Sequence, residues 1–392
     1  MKRKQVLKTI TLIEQQLYCS WKNVDNISLY QGISGIALFY YNLYRLTKEE
    51  KYLNVLNKII ETLFEKLNNS TYNYSYCEGL SGIAHLIYFL KQKKIIDEDV
   101  EDTLKEIDSI LYDWAINYTS DIESIDFLHG SLGALHYLID RKYTKAKTLL
   151  YKIKEVIEKD IEEGKTSFET NVVNCGLAHG NISYLLIFSN YLEKYPKDTI
   201  IENFIFKVIN LQLKYKSRNS NSLSVFPSIV YANTNEPNNY DIPMGWCYGD
   251  QTAVFGLNKA AKIIDDDEVL SLTKEIAYHC CKRDTIIKSF FSEESDACFC
   301  HGTSSAAYLF KKMYKTYNED VFNDRYELFI NYTLDRRKFS DVISGYKKYS
   351  NITGENEVSN SLLDGISGIG IVLIDYLLGN ENDDWDKFFL LN

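Results

Sequence analysis

Residues 32–46 read "GISGIALFYYNLYRL". A glycine, two small or apolar residues and a second glycine open a run that is apolar almost all round. The same opening returns at Gly79 ("GLSGIAHLIYFLKQ"), Gly130 ("GSLGALHYLID"), Gly180 ("GNISYLLIFSNYL"), Gly249 ("GDQTAVFGLNKA"), Gly302 ("GTSSAAYLFKKM") and Gly365 ("GISGIGIVLIDYL"). Successive first glycines lie 47, 51, 50, 69, 53 and 63 residues apart. A fixed period of this size marks a repeat of one supersecondary unit. In units four to six the second glycine becomes Ser183, Thr252 and Ser305, so the position asks for a small residue.

Between these runs the pattern changes. In "KYLNVLNKIIETLFEKL", residues 51–67, Leu53, Leu56, Ile60, Leu63 and Leu67 fall on one helical face. "VEDTLKEIDSILYDWAI" repeats that pattern in the second unit. Each unit thus reads as an apolar helix followed by an amphipathic one. The first needs cover on all sides and the second on one. Seven inner helices wrapped by seven outer ones satisfy both, so an all-α, closed double ring, an α/α toroid spanning residues 1–392 as one domain, is expected. Closure also removes the polar end caps that an open solenoid requires. The four prolines are Pro196, Pro227, Pro237 and Pro243. The last three mark residues of about 216–243, between units four and five, as an extended, loop-like insertion. A second polar stretch, "YKKYSNITGENEVSN", precedes unit seven.

Composition narrows the function. Hydrophobic residues make up 45% and charged residues 25%, the balance of a chain with a sizeable core. The 54 acidic residues outnumber 44 basic ones, giving a net charge of −10. No basic cluster stands out, which argues against nucleic acid as a partner. The basic N-terminus lacks a continuous apolar core, so no signal peptide is read there and a cytoplasmic location is expected. The eight cysteines are then thiols, ligands or core residues rather than disulfides.

Helix starts leave N–H groups free and favour anions and ligands. If the inner helices all start at one end, their glycine loops ring a shallow bowl. The residues just before the glycines are Gln31, Glu78, His129, His179, Tyr248, His301 and Asp364, all polar, with three of the chain's six histidines among them. Cys247 and Cys300 each lie two residues before their glycine, in "MGWCYGD" and "CFCHGTS". Two thiols and the imidazole of His301 match the three-ligand, open-position pattern of a catalytic zinc ion, provided units five and six are neighbours. The same spacing also fits buried free cysteines beside a hydrogen-bonded histidine. Cys298 is a nearby alternative ligand. Cys175, four residues before His179, is assigned to core packing, as is His136.

The seven glycine-started units, "GWCYGD", "CHGT" and the intact "GLAHG" of residues 176–180 together resemble the lanthipeptide cyclases, the LanC-like family. The resemblance covers nearly the whole chain. It implies an α/α toroid and one zinc ion on Cys247, Cys300 and His301. It implies addition of peptide cysteine thiols to dehydrated serine or threonine in a ribosomal precursor peptide, closing lanthionine or methyllanthionine rings. His179 is then the general acid, Asp126 its orienting carboxylate, and Tyr248 a stabiliser of the enolate oxygen. Trp246, one of the aromatic pair around the first of these cysteines, is assigned to substrate binding; His129 stands where the family often has a small residue, and its place before Gly130 assigns it to the substrate-facing bowl. The family further implies a dehydratase and an ABC exporter as partners, and through them a peripheral place at the membrane.

One departure is plain: where the family often carries an arginine before the first zinc cysteine, this chain has Pro243 in "DIPMGWCYG". Two other readings stand beside the cyclase. One is a different zinc-dependent thiol transferase, for small thiols or isoprenoids. The other is a non-catalytic peptide-binding scaffold on the same toroid.

Overall fold

A computed structural model describes residues 2–69, 72–162, 172–350, 353–379 and 384–392. In chain order its α-helices are α1 (Lys2–Ser20), α2 (Ile33–Thr47), α3 (Glu50–Asn69), α4 (Leu80–Gln92), α5 (Glu101–Tyr118), α6 (Ser131–Asp140), α7 (Ala146–Glu162), α8 (Asn181–Lys194), α9 (Thr199–Lys214), α10 (Asp250–Ile263), α11 (Asp267–Cys281), α12 (Ile286–Phe290), α13 (Thr303–Tyr317), α14 (Asp320–Asp335) and α15 (Ile366–Leu378).

Every repeated glycine is the residue immediately before an inner helix: α2, α4, α6, α8, α10, α13 and α15. Each inner helix packs on the next, and α15 returns to α2. These helices are buried on nearly every side; in α8 the run Asn181–Leu192 is buried without a break. The helices outside them are two-faced. In α3, Leu56, Ile59, Ile60 and Leu63 are buried while Lys51, Asn54, Lys58 and Glu61 face solvent. Six outer helices follow their own inner helix in sequence. The seventh does not: α1, from the start of the chain, packs on α15 and supplies its cover.

The glycines act through close approach. Before α2, α4, α6, α8, α13 and α15 the backbone is extended, with φ from −110° to −156°. What excludes a side chain is the loop behind it: a Cβ on Gly180 would lie 2.0 Å from the Asn174 carbonyl oxygen. Of the seven, only Gly249, at φ +106°, also needs the positive-φ freedom that glycine allows.

The interval between α9 and α10 is non-helical, as the prolines predict. It carries β2 (Ile229–Tyr231) and β3 (Glu236–Pro237), which with β1 (Val172–Asn174) form an antiparallel sheet in the order β1-β2-β3. Register pairs Val173 with Val230 and Tyr231 with Glu236. The insertion is thereby tied to the strand that leads into unit four. A two-residue ladder, β4 (Lys348–Tyr349) with β5 (Asn356–Glu357), holds the second polar stretch.

The centre of the ring is filled by the chain's own end. Residues Asp384–Phe389 form a 3₁₀ turn in which Trp385, Phe388 and Phe389 are buried. Tyr30 donates to the Phe388 carbonyl (2.6 Å), Trp246 to the Phe389 carbonyl (2.8 Å) and Tyr308 to Asp386 (2.8 Å). His136 Nε2 lies 3.0 Å from the Lys387 carbonyl, so it is the core histidine expected. Phe389 stacks on Tyr30 with centroids 5.4 Å apart and meets Phe299 at 4.1 Å. Units one, three, five and six thus converge on one plug.

Candidate metal centre and cleft

The site is built from the three residues before each glycine, which go to three different places. The residues at the third place back are Leu29, Tyr76, Phe127, Leu177, Trp246, Phe299 and Leu362, all fully buried in a floor above the plug. The residues at the second place back link the loops through their backbones. The Cys300 carbonyl accepts from Trp246 and Cys247 N–H (2.9 and 3.1 Å). The Leu363 carbonyl accepts from Phe299 and Cys300, and the Tyr30 carbonyl from Leu362 and Leu363. The same link joins units one to two, two to three and four to five. Among the described residues it is missing only between units three and four, where side chains meet instead. The polar residues directly before the glycines form the rim.

A second signature precedes these three residues. Six places before the glycine stand Asn26, Asn73, Ser124, Asn174, Asp296 and Ser359. Asn26, Asn73, Asn174 and Asp296 accept, through Oδ1, the N–H two residues on, at 2.8–3.0 Å. These side-chain turns fold the loop back under its helix.

The backbone link between units five and six draws Cys247 and Cys300 together. Their sulfurs and a ring nitrogen of His301 lie within 4.8 Å of one another. Zinc at about 2.3 Å from two sulfurs in tetrahedral geometry needs those sulfurs about 3.8 Å apart, so the donors present fit the ion. Without a metal the three groups share protons among themselves. The hydrogen bond from Cys300 draws the Cys247 thiol well below its usual range, with His301 assisting, while that bond and burial push Cys300 upward. The Cys298 thiol alongside, together with Cys247 and Asp296, holds the His301 imidazole protonated far above its ordinary value. Asp296 Oδ2 lies 3.9 Å from His301 Nε2. Cys298, its own thiol pushed up to about 12 by burial, is itself buried behind His301. Cys175 packs with Val173, Leu211 and Val230 as expected.

His179 occupies the gap between units three and four. Its Nδ1 lies 2.8 Å from Asp126 Oδ2, and Asp126 is almost fully buried. The other Asp126 oxygen accepts the His129 N–H at 2.7 Å. His179 is close enough to Cys247 for its charge to help lower that thiol. Tyr248, on the same rim, accepts from Asn174 Nδ2 at 3.0 Å. His129 reaches the bowl and stacks parallel to His179, 9° between planes and 5.9 Å between centroids. Trp246 does not line the site. It is fully buried, hydrogen-bonded to the plug and packed edge-on against Tyr30 and Phe389. Of its neighbours in "GWCYGD", Cys247 and Tyr248 line the cleft.

From Cys247 and His301 a cleft of about 890 Å³ opens toward the insertion. Ile242, Pro243, Tyr248, Phe290, Asp296 and Tyr349 are among its lining residues. No lysine or arginine lines it among the described residues. The position of the missing family arginine is supported from behind: Arg283, buried, donates to the Ile242 carbonyl at 2.7 Å and does not reach the cleft.

Comparisons with known proteins agree with this architecture. The family model described as "Lanthionine synthetase C-like protein" matches residues 23–390. The "Lacticin 481/lactococcin biosynthesis protein LcnDR2" of Lactococcus lactis subsp. lactis is 22% identical over 374 residues, which are 92% of this chain and 37% of that protein. The chain therefore spans a little over a third of the length of that relative. The solved structure of "Nisin cyclase" superposes with a TM-score of 0.73 at 17% identity, covering 99% of this chain and 97% of the other, and so shares the fold. With the family model matching all but the two ends, the chain belongs to the lanthionine synthetase C-like family.

Proposed function

We propose that this protein is a zinc-dependent cyclase that closes thioether rings in a dehydrated ribosomal peptide. The observation that carries the reading is the convergence of Cys247, Cys300 and His301 within 4.8 Å at the foot of a cleft, beside the His179–Asp126 pair. Cys247, Cys300 and His301 would hold zinc, whose bound charge lowers the pKa of an added thiol from about 8.5 toward neutral.

The chain's own residues account for the rest. The cleft holds a peptide segment with its cysteine near Cys247 and a dehydroalanine or dehydrobutyrine alongside. The new S–C bond forms at the β-carbon, and the double-bond electrons move to the carbonyl as an enolate. The α-carbon then takes a proton from His179, whose Nδ1 is fixed against Asp126. That carboxylate favours the imidazolium and aims Nε2 away from itself. The thiol proton lost and the α-proton gained balance, so no redox partner is needed. Tyr248 stands at the cleft wall where a phenol can donate to the enolate oxygen. The reaction consumes dehydro residues, so a dehydratase must act upstream; an exporter downstream is the further partner this reading expects. No helix of the described residues is long and apolar enough to cross a membrane.

The test is direct. The zinc-loaded chain is mixed with a dehydrated, cysteine-containing precursor peptide, and free thiols are counted by alkylation and mass spectrometry. Loss of alkylatable thiols without change in peptide mass supports the cyclase. Unchanged thiols with tight peptide binding would mean a scaffold.

A further inference from the structure

We infer that Cys77, Glu78 and His129 form a second site for a soft divalent cation, on the rim between units two and three. The site follows from the repeat. Cys77 stands two residues before Gly79, as Cys247 and Cys300 stand before theirs, and His129 stands one residue before Gly130, as His301 does before Gly302. The backbone link that brings units five and six together also joins these loops: Tyr76 and Cys77 N–H both donate to the Leu128 carbonyl at 3.0 Å. The equivalent corner of the neighbouring pair is therefore reproduced, with Leu128 where Cys300 would be and Glu78 as the replacement donor.

The geometry fits a metal. Cys77 Sγ and His129 Nδ1 are 3.3 Å apart, and the sulfur, the ring nitrogen and a Glu78 carboxylate oxygen lie within 4.8 Å of one another. Tetrahedral zinc with ordinary sulfur and nitrogen bond lengths needs about 3.5 Å between those two atoms. The donors are also held in place. Cys77 is bonded through both its N–H and its carbonyl, which accepts from Tyr30 at 3.2 Å. The His129 N–H is held by Asp126 at 2.7 Å. The donor set of one sulfur, one nitrogen and one exposed carboxylate is harder than the pair of sulfurs at units five and six, so the second site binds a soft cation less tightly. The third cluster of this kind, Asp296, Cys298 and His301, shares His301 with the first centre and is not a separate site. The inference does not depend on the thioether chemistry.

Cobalt(II) is the probe, because its thiolate charge-transfer absorption reports each sulfur ligand. Metal-free chain titrated with cobalt should take up two equivalents by equilibrium dialysis, the second weaker and with roughly half the thiolate absorption of the first. Cys77→Ser should keep the tight equivalent and lose the weak one; Cys300→Ser should do the converse. Glu78→Gln, at an exposed position, should weaken only the second equivalent, by roughly tenfold, and decides the matter if Cys77→Ser binds nothing. One equivalent in the unmodified chain, or two equivalents of unchanged affinity in Glu78→Gln, overturns the inference.

Discussion

The rim and the floor of the bowl are built from adjacent residues, yet they carry opposite duties. Trp246 and Phe299 point down into the plug, while their neighbours Cys247, Tyr248, Cys300 and His301 point up. The floor is apolar in all seven loops; the rim is polar in all seven. Stability therefore resides at the third position before each glycine and chemistry at the last two. One short loop repeated seven times places both, and residue identity alone decides which corners of the ring become sites.

This division can be broken deliberately, and the largest effect is expected on the rim. Cys300→Ala removes one sulfur, so the tightly held equivalent of zinc, measured by elemental analysis after dialysis, should be lost and ring closure with it, while the thermal unfolding of the metal-free protein stays within a few degrees of the parent. His179→Ala should separate binding from chemistry: zinc retained, ring closure slowed roughly 10²–10⁴-fold in single-turnover assays. Asp126→Asn should slow it less, since the imidazole remains.

The floor should answer in the opposite sense. Trp246→Ala removes a fully buried indole and its bond to Phe389, so urea denaturation should show a loss of roughly 3–5 kcal/mol. The surviving folded fraction should still bind zinc. A floor variant that lost metal without losing stability would erase the distinction between the two layers.

The smallest expected effect is a pH shift. In metal-free protein the bond from Cys300 and the charge of His301 favour the Cys247 thiolate. Its pKa is lowered, so the reactive form persists to lower pH than in an ordinary thiol of about 8.5. Cys77 is the contrast: burial pushes its thiol up to about 12. Alkylation followed by peptide mapping should therefore label Cys247 at mildly acidic pH and spare Cys77 until strongly alkaline pH. Equal labelling of the two across the range contradicts the electrostatic account.

Much of this was legible in the residues. The glycine spacing gives the seven inner helices, and the amphipathic stretches of units one and two give the pattern of the outer ones. That α1 supplies the outer cover of α15 was not legible, because residues 2–20 and 366–378 meet through apolar faces that name no partner. The plug was hidden for the same reason: "DWDKFFLLN" reads as a short apolar tail, and only tertiary contacts reveal what Phe389 fills. Trp246 was misassigned because its place in a motif says nothing about which way it points. Two further signals are present in the sequence. One is the Asn, Asp or Ser six residues before six of the glycines, which folds the loops. The other is Cys77, which occupies the same loop position as Cys247 and Cys300.

The central claim is that Cys247, Cys300 and His301 together grip a zinc ion. Anomalous X-ray scattering recorded on both sides of the zinc absorption edge, from crystals of protein purified without chelator, tests it most directly. The account predicts an edge-dependent peak about 2.3 Å from both sulfurs and about 2.0–2.1 Å from a His301 nitrogen. A featureless map at that position, with the two thiols turned away from each other, would contradict it.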